Sequence, residues 1–227
     1  MTRSDDSRDP IDWNVIAFDP SISRKLTSTT EAEALADDAS GGSVTRLQKP
    51  LREDRWVEDL VQIMFIDPDV PEPQALLEGL DPNVHVFLLH PDRDPIAEMV
   101  YYIEQFADLE VIKLFIVHCG SLGSATLCGE TYTAERFRER EKDLEPLYLA
   151  LSPDAEVVFF GCETAGSDQG WDLLDYLGER LDANITGACS IVGHTDLVGS
   201  WDEFRPHLLP FSDKALNNYK HVLKAKG

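Results

Sequence analysis

The feature that most constrains this chain is a series of apolar runs that alternate with amphipathic stretches from Trp56 onward. Each run is apolar along nearly its whole length, which is typical of strands that are covered on both faces of a sheet. The stretches between them repeat apolar residues at helical spacing, and one has Pro95 near its start. Alternating strands and helices predict parallel β-α-β units with right-handed crossovers. We therefore predict an α/β fold, a three-layer α/β/α sandwich with a mostly parallel sheet.

The predicted elements follow one another in a regular order. Strands are expected at residues 60–67, 84–90, 111–118, 156–162 and 185–193, and helices at residues 71–80, 94–107, 134–150 and 170–182. A hairpin is expected at residues 125–133. The chain is predicted to consist of an acidic, partly disordered N-terminal arm (1–55), a main domain (56–205) and a C-terminal helical extension (206–227).

Charge and composition narrow the classes of partner. The chain has 42 acidic and 20 basic residues, a formal net charge of −22, which repels nucleic acid and anionic membrane surfaces. No run approaches the roughly 20 apolar residues of a membrane span, and the polar start of the chain lacks a signal-peptide core. Four cysteines in a chain of this length do not predict a disulfide scaffold. We expect reduced thiols, a cytoplasmic location, and neither a nucleic-acid nor a membrane partner.

Two predicted strands end in reactive side chains set among glycines. The third strand ends at His118, with Gly120 just beyond it, and the fourth ends at Cys162, directly after Gly161. The carboxyl ends of parallel strands meet at one edge of a sheet, where ligands and chemistry gather. A lone histidine could simply cap its strand, and a lone cysteine could be an inert core thiol. As a pair, the two residues predict a Cys-His dyad.

The dyad predicts cysteine-dependent hydrolysis of a protein or peptide substrate. The thiolate of Cys162 is the attacking group, and the imidazole of His118 can activate it and later protonate the leaving amine. The tetrahedral intermediate needs hydrogen-bond donors for its oxyanion. The backbone N–H groups of Gly120 and Cys162 are the candidates for this oxyanion hole. No cofactor is required for this chemistry.

The other thiols suggest a rival, which is a zinc site built from His118 and the four cysteines. The nearest pair, Cys119 and Cys128, is separated by eight residues, outside the usual spacing of zinc knuckles. We therefore expect no metal. Cys119 could compete as a second reactive thiol, whereas Cys189 is expected to be a core thiol of the fifth strand.

Across residues 61–202 the chain resembles a known family. The matching segments, in family order, include MFIDPDVPEPQALLEGL, FIVHCGSLGS, VVFFGCETAGSDQG and ITGACSIVGHTDLVGSWD. They resemble a bacterial domain of unknown function that is typically found at the N-termini of giant cadherin-repeat and adhesin-like proteins. That domain is itself similar to the caspase–hemoglobinase (clan CD) cysteine peptidases. The resemblance implies a caspase-like α/β/α sandwich and a thiol protease.

By this resemblance, His118 falls on the family's histidine and Cys162 on its glycine-cysteine motif. Two positions differ from the family pattern: Cys119 stands where glycine usually follows the histidine, and Glu163 replaces an asparagine. We expect a cysteine endopeptidase. The alternative is a catalytically inactive module of the same fold that serves interaction or sorting.

Four charged residues are candidates for substrate binding. The resemblance implies a specificity pocket built from residues just after the first strand and near the nucleophile. Asp67 and Asp69 follow the first strand and Glu163 follows Cys162, so this pocket is expected to be acidic and to select arginine or lysine before the cleaved bond. Arg93 predicts the opposite, a preference for acidic residues. The two aspartates could also be simple turn residues.

Overall fold

The structure is a computed structural model, and it describes residues 60–225. Within these residues the strands are β1 (Leu60–Ile66), β2 (Val84–Leu88), β3 (Glu110–Val117), β4 (Cys119–Ser121), β5 (Ser124–Leu127), β6 (Glu130–Tyr132), β7 (Leu151–Phe160) and β8 (Asn184–Gly187). The α-helices are α1 (Gln74–Leu77), α2 (Pro95–Ile103), α3 (Ala134–Glu139), α4 (Glu145–Ala150), α5 (Asp168–Leu181) and α6 (Asp213–Asn218).

A five-stranded sheet forms the centre of the fold, with the strand order β2-β1-β3-β7-β8. All four pairings in it are parallel. Helices α2, α3, α4 and α5 contribute buried side chains to one face of the sheet, and α1 and α6 contribute to the other. The predicted three-layer α/β/α sandwich is therefore confirmed.

Two apolar clusters cover the faces of the sheet, because its strands are apolar on both sides. In β3, Leu114 and Ile116 point to one face, while Phe115 and Val117 point to the other. The first core cluster includes Ile63, Phe65, Leu114, Ile116, Phe159 and Leu177. The second core cluster includes Phe115, Phe160, Cys162, Val192, Trp201, Phe211, Tyr219 and Leu223.

A small antiparallel sheet follows β3 directly and contains the expected hairpin. Its order is β4-β5-β6, and β5 and β6 are joined by Cys128 and Gly129, both with positive φ (50° and 78°). Positive φ at both central residues is the geometry of a type I′ turn, which matches the twist of the strands that it joins.

Several elements are shorter than the sequence predicts. The helix expected at 134–150 is interrupted by a 3₁₀ turn at Glu141–Leu144, after which Pro146 stands in the first turn of α4. Proline lacks an N–H group and clashes with the preceding turn, so one continuous helix cannot pass through it. The fifth strand ends at Gly187 rather than at 193.

The segment after residue 205 packs into the main body. Its α-helix covers only Asp213–Asn218, and the following residues pair with loops of the body as extended chain. Phe211, Tyr219 and Leu223 belong to the second core cluster. The predicted arm, residues 1–55, lies outside the described residues. Between residues 60 and 225, none of the helices has the length and apolar character needed to cross a membrane.

Truncating Phe211 to alanine should lower the free energy of unfolding by about 3–5 kcal/mol, because its ring packs 5.6 Å from Phe160 and 6.0 Å from Trp201 between centroids. Trp171→Ala is the matched control. Its side chain is 55% exposed, so its loss should change the free energy of unfolding by no more than about 0.5 kcal/mol. Urea denaturation measures both. Equal, small costs would show that the segment after 205 does not belong to the core.

Candidate functional site

The pairing of β3 with β7 brings the two predicted catalytic residues to one edge of the sheet. The register places Val117 beside Phe160 at the strand ends. The backbone N–H of His118 then donates to the carbonyl of Phe160 over 3.0 Å. His118 and Cys162 therefore follow the ends of adjacent parallel strands, as predicted.

The imidazole of His118 is fully buried and lies against Gly161. A Cβ atom at position 161 would stand only 2.2 Å from Cε1 of the ring, so this contact requires glycine. The ring also meets Phe159 edge-on, with 5.7 Å between centroids. Neither Nδ1 nor Nε2 makes a hydrogen bond of normal geometry among the described residues, although the Cys119 backbone lies near enough to favour the protonated ring. A buried polar group without a partner costs about 1–3 kcal/mol, and it needs a reason to be kept.

Burial also determines the charge of this ring. Because the charged form is poorly solvated there, the pKa of His118 falls from 6.5 to about 4, although the Cys119 carbonyl opposes the change. The imidazole is therefore neutral at pH 7. A neutral imidazole can accept a proton, which is what a general base must do.

The thiol of Cys162 lies in a backbone niche formed by Val192. Sγ is 3.5 Å from the Val192 carbonyl, to which it donates, and 3.3 Å from the Val192 N–H, from which it accepts. Burial raises the pKa of Cys162 above its usual value, while the N–H of Val192 and the charge of Lys224 oppose this and Glu163 adds to it. At pH 7 the thiol of Cys162 is therefore protonated.

The side chains of His118 and Cys162 point toward different faces of the sheet. His118 contacts Phe159 of the first core cluster, whereas Cys162 belongs to the second. Gly161, on which the ring rests, immediately precedes Cys162. The imidazole nitrogens make no hydrogen bond to the thiol. Proton transfer between the two groups therefore needs a bridging water or a rotation of the ring.

The two predicted oxyanion donors point at the same atom. The N–H of Gly120 lies 2.9 Å from the carbonyl oxygen of Leu223, and the N–H of Cys162 lies 2.8 Å from it. A Cβ at position 120 would stand 2.2 Å from the Cys162 carbonyl oxygen, so the close approach of these two chains depends on glycine. Two donors that converge on one carbonyl oxygen form the arrangement that stabilises an oxyanion.

The residue that supplies this carbonyl belongs to an extended stretch, residues 221–225, which we call the cleft segment. On one side, the N–H of Leu223 donates to Val192 over 2.9 Å, and the N–H of His194 donates to His221 over 2.9 Å, which is antiparallel pairing. On its other side, the segment pairs in parallel with Gly120. The cleft segment is thus extended chain that bridges β4, which follows β3, and the loop after β8.

The two aspartates after β1 have structural roles. Asp67 is buried, and its carboxylate accepts hydrogen bonds from the N–H groups of Asp69 and Cys128, which ties the end of β1 to the β5–β6 turn. Burial raises the pKa of Asp67, although these two hydrogen bonds oppose the change. The Asp69 carbonyl faces the thiol of Cys119 at 3.5 Å. These contacts support the interpretation of Asp67 and Asp69 as turn residues.

The other two charged candidates lie at different places. Glu163 adopts a positive φ of 54°, and its carboxylate is 3.7 Å from the ammonium of Lys224 in the cleft segment. Arg93 follows β2, the edge strand, and its guanidinium pairs with Glu98 at 3.2 Å. Glu163 is thus beside the cleft, whereas Arg93 has its ion-pair partner on α2, away from the β3–β7 junction.

The remaining cysteines are free thiols in different environments. The prediction that Cys189 is a core thiol of the fifth strand is wrong, because β8 ends at Gly187 and Cys189 is exposed beyond it. Cys119 is buried, and burial raises the pKa of Cys128 to about 12, with Asp67 adding to the effect. Within residues 60–225, no three His, Cys, Asp or Glu side chains form a group that could hold a metal ion.

Sequence reasoning missed the residues that surround Cys162, which are Val192, Tyr219, Leu223 and Lys224. Tyr219 is fully buried, and its pKa is raised by burial and by the neighbouring thiols of Cys119 and Cys162. The lysine-rich end of the chain predicts a helix on local grounds. Its extended conformation depends on pairing with residues far away in sequence, for which the sequence has no local signal.

Comparison with known proteins gives one match. A family model described as "Domain of unknown function (DUF4347)" matches residues 63–223. No curated protein and no solved structure matches the chain. The matched range includes His118, Cys162 and the first part of the cleft segment.

Gly161→Ala should destabilise the fold by about 1–3 kcal/mol, because the added Cβ would overlap the His118 ring. Gly178→Ala is the matched control. A Cβ there would lie 3.5 Å from the Ala183 carbonyl oxygen, and alanine in a helix stabilises by up to about 1 kcal/mol. Urea midpoints measure both variants. If Gly161→Ala were as stable as the wild type, the ring could not lie where the structure has it.

The pKa of His118 is about 4 in the folded protein and 6.5 for an unperturbed imidazole, which predicts a pH-dependent stability. Between these values the unfolded chain binds a proton at this ring and the folded chain does not. The folded state therefore loses stability as the pH falls from 6.5 to 4, by roughly 3 kcal/mol at about 1.36 kcal/mol for each pH unit.

His118→Gln removes this titration and isolates it from Asp67, whose raised pKa acts in the opposite direction. Urea denaturation gives the free energy of unfolding of both proteins at pH 7 and at pH 4. Between these pH values the wild type should lose roughly 3 kcal/mol more than the variant. Parallel pH curves would contradict the buried, neutral imidazole.

Proposed function

The chain belongs to the DUF4347 family, and we propose that it is a cysteine endopeptidase. Cys162 is the nucleophile, and His118 is the general base and acid. The observation that carries the proposal is the convergence of the Gly120 and Cys162 N–H groups on one carbonyl oxygen, that of Leu223. Such a pair of donors beside a cysteine is what acyl transfer through a thioester requires.

The proposed reaction proceeds in two stages. The thiol of Cys162 transfers its proton to His118 and attacks the substrate carbonyl, whose oxygen is held by the N–H groups of Gly120 and Cys162. The carbon–nitrogen bond then breaks, and His118 returns the proton to the leaving amine. Water hydrolyses the resulting thioester with the imidazole as base, which regenerates the thiol.

In the resting site, both His118 and Cys162 are uncharged. Burial lowers the pKa of His118 to about 4 and raises the pKa of Cys162, so the buried site holds a neutral imidazole and a protonated thiol rather than an ion pair. Entry of water beside the two groups would reverse both shifts, because desolvation is their largest cause. The proposed enzyme therefore becomes reactive when its cleft opens to water.

The relationship to caspase–hemoglobinase peptidases is part of this proposal. It is supported by the parallel sheet, the adjacent strand ends that carry His118 and Cys162, and the donors after each strand. A reducing, cytoplasmic compartment is likewise proposed, on the ground that all four cysteines are free thiols and one of them, Cys189, is exposed.

A second candidate is a catalytically inactive interaction module of the same fold. It is favoured by the full burial of His118 and Cys162, by the hydrogen bonds that occupy the thiol, and by the cleft segment that covers the donors. In such a module the thiol would be a packing group. The two candidates differ in whether any peptide bond is broken in a way that depends on Cys162.

Cys162→Ala should reduce peptide-bond cleavage by about 1000-fold or more, and His118→Ala by about 100- to 10,000-fold. The measurement is the appearance of new peptide termini by mass spectrometry, both in a proteome-derived peptide library and in the protein itself. Cleavage should be faster at pH 9 than at pH 7, because burial raises the pKa of the thiol.

Cys189→Ala is the control, because this thiol is exposed and lies outside the cleft; it should keep the wild-type rate. If Cys119→Ala lost activity while Cys162→Ala kept it, the nucleophile would be Cys119 and not Cys162. Absence of new termini in both the library and the protein would reject the peptidase and leave the interaction module.

A further inference from the structure

The cleft segment, residues 221–225, is held as a peptide ligand is held at a sheet edge. It forms antiparallel hydrogen bonds to the loop after β8 through residues 192–194, and parallel ones to Gly120 after β3. Main-chain pairing of this kind is how proteins capture extended peptides, while side-chain pockets give specificity. Here the extended peptide is part of the same chain.

The hydrogen bonds define which peptide bond faces the chemistry. Among the described residues, the carbonyl that receives both the Gly120 and the Cys162 N–H is that of Leu223. On the far side of that carbonyl, the N–H of Ala225 donates to Gly120 over 2.9 Å, which holds the following residues in the cleft. The bond presented to the donors is therefore the one between Leu223 and Lys224.

The side chains on either side of this bond have complementary surroundings. The side chain of Leu223 is fully buried in the second core cluster, which also contains Cys162 and Val192. Lys224 is half exposed, and its ammonium is 3.7 Å from the Glu163 carboxylate. The site thus accepts an apolar residue before the bond and a cation after it. A charged residue in the place of Leu223 would lose its hydration without gaining a partner.

We propose that the cleft segment is the enzyme's own substrate and that it is cut between Leu223 and Lys224. This inference rests on the proposed peptidase function. Sγ of Cys162 bonds to the Leu223 carbonyl carbon, the bond from that carbon to the Lys224 nitrogen breaks, and the thiol proton passes through His118 to the new amine. Water then splits the thioester, which leaves a carboxylate on Leu223 and a free thiol.

The same placement assigns a substrate class for other peptides. The site selects leucine or a similar apolar residue before the cleaved bond and lysine or arginine after it. In this arrangement Glu163 binds the cation of the residue after the cleaved bond, whereas the sequence alone predicts that it binds the residue before that bond. Until the cleft segment is cut or displaced, it occupies the positions that another peptide would need.

Lys224→Pro and Lys224→Ala form a matched pair for testing the self-cleavage. Proline turns the bond into a tertiary amide with no N–H, and the segment's pairing survives because the bonds to Gly120 come from Leu223 and Ala225. Alanine removes only a half-exposed ion pair, which is worth about 1 kcal/mol or less. The purified full chain and both variants are incubated at pH 8 and followed by intact-mass and C-terminal mass spectrometry, with circular dichroism to check folding.

The wild type and Lys224→Ala should lose residues 224–227 at rates within about tenfold of each other, while Lys224→Pro and Cys162→Ala should stay intact. Loss of these residues from Cys162→Ala as well, or cleavage at another bond, would overturn the inference. If the protein cleaved the peptide library in a Cys162-dependent way but its own Leu223–Lys224 bond stayed intact, the self-cleavage would be rejected. The proposed peptidase function would still hold. No cleavage of either kind would reject both.

Discussion

The parallel pairing of β3 with β7 is the constraint on which the rest of the site depends. Its register fixes the strand ends side by side, so that the residues just beyond them must share a narrow space. Gly161 lies under the His118 ring, and Gly120 lies against the Cys162 backbone. Both contacts are too close for any side chain. The sheet therefore determines the positions of the imidazole and the thiol, and the two glycines allow those positions to be occupied.

The sequence is sufficient for the sheet and for part of the site. Continuous apolar runs are typical of parallel strands covered on both faces, which is why the strands ending near His118 and Cys162 were predictable. The N–H groups of Gly120 and Cys162 come together for the same reason, since both residues closely follow the ends of those strands. Local patterns failed where pairing between distant residues decides the conformation. Cys189 lies beyond the end of β8, and residues 221–225 are extended rather than helical.

The charged residues illustrate a second reason for incomplete prediction. Asp67 and Asp69 have the right character for a cation pocket, but the Asp67 carboxylate already accepts hydrogen bonds from two backbone N–H groups. Arg93 is paired with Glu98. Composition indicates which side chains are able to bind a charged ligand, but it does not indicate which of them already have a partner within the fold. Glu163 differs because its partner, Lys224, belongs to the segment that lies in the cleft.

The two-sided pairing of the cleft segment also determines how it resists mechanical force. Its hydrogen bonds run across the strand direction to Gly120 on one side and to the loop after β8 on the other. Tension applied along the chain from the C-terminal end would load these bonds in shear, all at once. A force that lifts the segment sideways would instead break them one after another. Pulling the cleft segment out along its own direction should therefore need much more force than peeling it off sideways. The buried Leu223 side chain would resist removal even after the hydrogen bonds have broken.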